Sequence, residues 1–279
     1  MRKSNKVLSR LGIFLILMSV ISFLVFYLSV MMSQQGYTYI DPDTLELIQT
    51  EEPEEGAVTA IFETSLGEFR AVLYPEEAPE TVGQFIKLAE AGVYDNTYIF
   101  EAKQDVYFAA GAGDTAGSLA NGVTDAQELV PLETHQNLWP LRGALCAMNT
   151  TSEGGFFARL FHNTKQYSGS RFMVLGSVDF SDEEFLTEFR EASGSELLAD
   201  TFVEWGGVPN FSQQMTVFGQ TYAGLDVLDA ILSAPLLEEM NVSGYTPPKE
   251  DILLLSVTIS TYGEEDAALY ELTKPGDPE

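Results

Sequence analysis

Cysteine is nearly absent from this chain. Cys146 is the only one in 279 residues, so no intrachain disulfide can form. The thiol lies in an apolar stretch with Leu145 and Ala147 and reads as a small buried hydrophobe. Histidine is almost as scarce. His135 and His162 have no Cys or second His at ligand spacing, which argues against zinc, and neither a metal nor a cofactor is expected. Positive charge is the third shortage, with 14 Lys and Arg against 42 Asp and Glu, a formal net charge of −28. Arg2, Lys3, Lys6 and Arg10 all precede the first acidic residue, so the remainder carries 10 basic against 42 acidic groups, or −32. A chain so poor in Lys and Arg cannot neutralise a phosphate backbone, which excludes nucleic acid as a partner. Docking of the acidic portion on an anionic lipid surface is excluded for the same reason.

Charge of either sign is missing from Leu11 to Met32, and that run is almost wholly apolar. At about 1.5 Å per residue it can cross a hydrocarbon core about 30 Å thick. Four positive charges stand directly before it, which places residues 1–10 in the cytoplasm and the remainder outside. A cleaved signal peptide is the rival reading, but its apolar stretch is usually about 7–15 residues and ends in a small-x-small site. Ser29-Val30-Met31-Met32 is a poor cleavage site, so residues 11–32 are expected to be a transmembrane signal anchor.

Residues 33–56 are polar and acidic, with Asp41-Pro42-Asp43 and Glu51-Glu52-Pro53-Glu54-Glu55, and read as a self-repelling linker. The acids lack the fixed spacing of a calcium loop. Ala57 to Thr64 alternates like a strand, Ser65-Leu66-Gly67-Glu68 turns the chain, and Phe69 to Tyr74 returns it as a hairpin. Pro79 can open a helix, and Val82, Phe85, Ile86 and Ala89 then form one apolar stripe stopped by Gly92. Leu225, Leu228 and Leu232 form a second stripe, closed by Pro235, and Ile252 to Thr261 is a last strand. Two helices among many short strands suit a mainly β fold, a barrel with helices at its ends. Residues 263–279 read as an acidic tail.

Several strings in this span, in order, carry a resemblance. Pro75-Glu76-Glu77-Ala78-Pro79-Glu80-Thr81-Val82 is followed by Phe85, Leu88, Gly92, Tyr94 and Asp95. Then come Phe100, Gly143-Ala144-Leu145, Asn149, Gly169-Ser170-Arg171-Phe172 and Val217-Phe218-Gly219. Over residues 57–262 the chain resembles the cyclophilin family of peptidyl-prolyl cis-trans isomerases. The resemblance implies a closed eight-stranded β-barrel capped by two α-helices, here behind an N-terminal transmembrane helix. Two segments, 150–167 and 175–215, are longer than the family's connections. In the second, Ser181 and Glu184 have capping-box spacing before Phe185, Leu186 and Phe189, so an extra acidic helix is expected.

Isomerising an X-Pro bond means twisting a partial double bond against a barrier of about 18–20 kcal/mol. The amide nitrogen regains a lone pair as it twists, and a guanidinium aimed there stabilises the twisted state. The family assigns this to the Arg of a Phe-His-Arg string. Here the string is Phe100-Glu101-Ala102, so no catalytic residue is assigned with assurance, and Arg171 is the possible substitute. The family's Phe-Met-x-Gln-Gly-Gly-Asp is matched by Phe108 to Asp114, or with Tyr107 in the Phe place if the register slips by one. The resemblance places peptide-binding positions at Phe108, Asn149, Arg171, Met173, Phe211 and Met215. The implied partners are proline-containing or extended segments of extracytoplasmic proteins. A weak or inactive isomerase is one reading. A non-catalytic peptide-binding or chaperone-like module using the same groove is the alternative.

Overall fold

The computed structural model describes residues 40–41, 44–120, 123, 129–153 and 165–271, with backbone only for 151–153. The chain divides into two units, Met1–Tyr37 with Ser152–Lys165, and Thr38–Thr151 with Gln166–Glu279. The second unit is described here. The expected anchor at 11–32 and most of the 150–167 insertion lie outside the described residues. Among the described residues no helix is long and apolar enough to cross a membrane.

Ten strands occur among the described residues: β1 (Val58–Thr64), β2 (Gly67–Leu73), β3 (Thr97–Tyr98), β4 (Glu101–Lys103), β5 (Tyr107–Ala110), β6 (Val130–Pro131), β7 (Ala144–Glu153), β8 (Lys165–Leu175), β9 (Val217–Ala223) and β10 (Leu253–Thr261). The helices are α1 (Pro79–Glu90), α2 (Glu183–Ser193), α3 (Glu196–Trp205), α4 (Leu225–Leu232) and the short α5 (Glu264–Ala267). The strands form one curled sheet in the order β3-β10-β1-β2-β9-β7-β8-β5-β4, with β6 added against β8. Its two ends, β3 and β4, are separated in sequence only by Ile99 and Phe100.

The β1–β2 hairpin forms as the alternation predicts. Phe62 faces Phe69 in register, and the two rings stack with centroids 4.5 Å apart. Thr64 closes the turn by donating its hydroxyl to the Gly67 carbonyl at 2.7 Å. Gly67 has φ +142°, and a Cβ there would stand 2.7 Å from a Val227 methyl. A side chain would therefore be both strained and in collision with α4.

Pro79 occupies the first turn of α1, and Val82, Phe85, Leu88 and Ala89 bury one face. That face meets the sheet through aromatic contacts, Phe85 lying 5.1 Å from Phe218 and 5.7 Å from Phe172. Ala78 before α1 offers no capping side chain. Glu133, more than 50 residues away, fills the gap by accepting from the Glu80 and Thr81 backbone N–H groups at 3.0 and 2.8 Å. α4 is served the same way, since Glu271 accepts from the Gly224 and Leu225 N–H groups at 3.1 Å.

Three expectations need correction. The region after residue 43 is no extended linker. Gln49 is 2% exposed and both donates to and accepts from the Trp139 backbone, at 2.9 and 2.6 Å, while also donating to Gln220 at 2.9 Å. Leu45 joins Trp139, Leu141, Leu198 and Phe202 in an apolar cluster. Burial of this one Gln and one Leu outweighs the repulsion of the flanking acids, which stay in solvent. The tail is likewise docked up to residue 271. Asp266 accepts from Tyr222 at 2.6 Å and pairs with Arg70 at 2.8 Å. Finally, the insertion carries two helices rather than one, and Asp182 rather than Ser181 caps the first, accepting from the Glu184 and Phe185 N–H groups at 2.9 Å. Ser195 caps the second.

Candidate functional site

Strand alternation separates the sequence-expected site residues onto two faces. On β8, Phe172 and Val174 join the main core with Phe62, Phe85 and Phe218. Arg171 and Met173 take the other face. On β5, Phe108 and Ala110 point inward, and Tyr107 and Ala109 outward. On β4, Ala102 points inward and is 4% exposed, directly opposite Phe108, which is 1% exposed. The structure therefore does not place Phe108 with the other pocket residues. Tyr107 stands in its place, its ring 6.0 Å from that of Phe211. Ala102 occupies core space, while Glu101 holds the outer-face position of β4.

The outer face is built around one cross-strand row. Glu101 pairs with Ala109, and Ala109 with Met173. With strands about 4.8 Å apart, the row spans roughly 10 Å from Glu101 to Met173. Met173, Ala109, Phe100, Cys146 and Val217 form its buried floor, and Tyr107, Met148, Phe211 and Met215 lie half-buried against them. Met173 is 5% exposed and so belongs to the floor rather than the open surface. Phe211 arrives on a short 3-10 turn, Pro209–Phe211, which the insertion carries to this face.

Asn149 is committed structurally. Its amide donates to the Gln166 side chain and to the Gln214 carbonyl, both at 2.8 Å, and its oxygen accepts from Ser168 at 3.3 Å. This ties β7 and β8 to the segment that delivers Met215. At the rim, Tyr107 donates to Glu101 Oε1 at 2.9 Å. Burial and then the bond to the carboxylate push the Tyr107 phenol well above its ordinary pKa, so it remains a donor at any physiological pH. Burial does the same to the Cys146 thiol, which leaves it unreactive.

Arg171 stands at the other end of this face. Its guanidinium carbon lies 5.9 Å from the centre of the Phe100 ring, and Nη1 donates to the Gly117 carbonyl. Phe100 is held edge-on by Tyr245, with centroids 4.9 Å apart. Among the described residues no group of three or more His, Cys, Asp or Glu side chains stands together as a metal site requires. Sequence reasoning offered Tyr107 only as the alternative to Phe108 and missed Glu101 as the rim of the face. The alternation Val106–Ala110 held the signal, because the slip of one residue decides which aromatic faces out.

A mainly β, curled antiparallel sheet with an apolar row on the outer face of β4, β5 and β8 defines a cyclophilin-like fold. The profile of the cyclophilin type peptidyl-prolyl cis-trans isomerase/CLD family matches residues 59–259, and the chain belongs to that family. Among curated relatives, a Streptococcus pyogenes protein provisionally assigned as a bifunctional phosphatase/peptidyl-prolyl cis-trans isomerase is 26% identical over 200 residues. That match spans 70% of this chain and 37% of the relative's length. A Staphylococcus aureus protein provisionally assigned as a peptidyl-prolyl cis-trans isomerase is 24% identical over 208 residues, 75% of this chain and 94% of that protein. Among solved structures, a Cryptosporidium parvum cyclophilin type peptidyl-prolyl cis-trans isomerase superposes with TM-score 0.52 at 15% identity, covering 74% of this chain and 99% of that one. The same isomerase in the presence of the dipeptide Ala-Pro gives TM-score 0.50 at 16% identity, covering 73% of this chain and 99% of that one. At such identity the solved structures speak to the fold alone.

Proposed function

We propose that this domain is a peptidyl-prolyl isomerase of low turnover, acting on proline-containing or extended segments of extracytoplasmic proteins and tethered to a membrane by residues 11–32. We also take residues 97–103 as one interrupted strand that closes the sheet into a barrel, since β3 pairs with β10 and β4 with β5. Family membership supports the isomerase reading, as does the Ala-Pro dipeptide present with the Cryptosporidium relative. The observation that carries it is the outer-face cluster in which Tyr107, Phe211 and Met215 lie half-buried over Met173, an apolar bed for a proline ring. Low turnover follows from β4, which presents Glu101 outward and Ala102 inward and so offers no guanidinium to a twisting amide. The tether rests on the length of the 11–32 run and the four cations before it.

The test is an exchange measurement by NMR on the full chain with an Ala-Pro-containing tetrapeptide. Catalysed cis-trans exchange is expected, with amide shifts at Tyr107, Phe211 and Met215. Phe211→Ala and Met215→Ala should each weaken binding about 10-fold, the loss of one well-packed apolar contact. Binding without exchange would select the non-catalytic module, and no shifts on that face would sink both. Protease added to intact cells should digest the domain, and full protection would refute the topology.

A further inference from the structure

We propose that Arg171 is the catalytic guanidinium of this domain, an assignment that rests on the isomerase reading above. The starting point is charge compensation. Among the described arginines, Arg70 pairs with Glu68 and Asp266, Arg142 with Asp229, and Arg190 with Asp200. Among the described residues Arg171 has no carboxylate partner, in a chain with three times as many acidic as basic residues. It is half-buried on an apolar face, where an uncompensated cation is costly. Its Nε is shielded from solvent and has no hydrogen-bond partner. An unsatisfied buried group of this kind calls for an explanation, and a catalytic role supplies one.

The geometry matches the task. Arg171 and Met173 lie two residues apart on one face of β8, about 7 Å along the strand. A proline ring seated against Met173, Phe211 and Met215 would bring its imide nitrogen toward the guanidinium rather than toward β4. The group is aimed, not loose. The Phe100 ring lies beneath the cation, Nη1 is held by the Gly117 carbonyl, and Tyr245 braces both sides of that clamp. At Gly117, φ is +79° and a Cβ would fall 2.4 Å from the Tyr245 ring, so loop and ring fit only without a side chain there. With Nη1 bonded to Gly117 and Nε shielded, Nη2 is the nitrogen left to donate to a peptide. When the X-Pro bond rotates, no covalent bond is made or broken. The lone pair localises on the proline nitrogen, and an Nη2–H group donates to it, an interaction absent from either planar ground state.

The experiment compares full-length wild type with Arg171→Gln and Arg171→Lys, measuring tetrapeptide binding by titration and exchange by NMR on the same samples. Exchange in Arg171→Gln should fall by about 10²-fold, the usual effect of one positioned donor, with the dissociation constant within about threefold. Arg171→Lys keeps the charge and the stem but not the planar fork, and should recover only part of the rate. Retained folding is read from the amide spectrum, and Arg171→Lys carries the comparison if Arg171→Gln does not fold. Undiminished exchange in Arg171→Gln, or in Arg171→Lys where it must stand in, would overturn the assignment while leaving the isomerase reading intact. A loss of binding that fully accounts for the loss of exchange would make Arg171 a peptide anchor and also overturn it. Absence of exchange in the wild type would overturn both.

Discussion

The two faces of β4, β5 and β8 share a backbone and differ in almost everything else. Inward, Ala102, Phe108, Phe172 and Val174 meet the aromatic core with no polar atom to satisfy. Outward, the same strands present Glu101, Tyr107, Arg171 and Met173, a mixture of thioether, phenol, carboxylate and unpaired guanidinium. The inner face is what any curled sheet of this size demands, since packing there decides stability. The outer face sets polar and charged groups beside a second apolar cluster, and a departure of that kind from a fold's own logic is where a functional role is sought.

The sharpest way to break this comparison is to move an arginine from one face to the other. Ala102→Arg would bury a guanidinium opposite Phe108 and should cost about 3–5 kcal/mol, enough to threaten the fold. Glu101→Arg, one residue earlier but on the outer face, should cost no more than about 1 kcal/mol. Denaturant melts of the two variants would show it, and equal losses would erase the distinction between the faces. Ala102→Arg is thus expected to unfold the domain rather than to activate it.

A second, smaller effect tests how far the fixed packing extends. A chain starting at residue 57 loses Leu45 and the hydrogen bonds of Gln49. Relative to one starting at residue 40 it should be less stable by about 3 kcal/mol, the sum of one buried leucine and a lost buried amide network. Matching thermal midpoints would return residues 44–56 to the status of a linker.

The third contrast sets a completed polar group against the uncompensated Arg171. Burial works against the Asp266 carboxylate, but hydrogen bonds from Tyr222, Arg70 and the Gly263 N–H outweigh it and hold its pKa below the ordinary value. A carboxyl depressed in the folded state contributes stability that is complete above the unfolded pKa of about 4 and drains away as pH falls below it. Asp266→Asn should lower stability by about 1–3 kcal/mol at pH 7 and flatten the loss between about pH 4 and pH 2. An unchanged acid slope in urea melts would refute that role.

Much of the fold was legible because its signals are local. The alternation of Ala57–Thr64, the stripe of Val82, Phe85 and Ala89, and Pro79 at a helix start all act within a few residues. The strap at Gln49 was not legible, since a glutamine among acids reads as solvated until Trp139 and Gln220 stand beside it. The site was legible in part. Met173, Phe211 and Met215 share one apolar cluster while Phe108 and Ala102 pack into another, because one residue of register reverses every side chain of a strand.

The sequence by itself determined the periodicities, the two main helices, the hairpin and the family. Those depend on which residues recur at 2 and at 3.6, a property the unfolded chain already has. Only the tertiary structure decided which face each side chain occupies and which distant group completes it. Glu133 caps α1, Glu271 caps α4, Asp266 neutralises Arg70, and Arg171 is left without a carboxylate among the described residues. Each of the three pairings is a contact across dozens of residues, and pairing at that range is chosen by the curled sheet rather than by any neighbour along the chain.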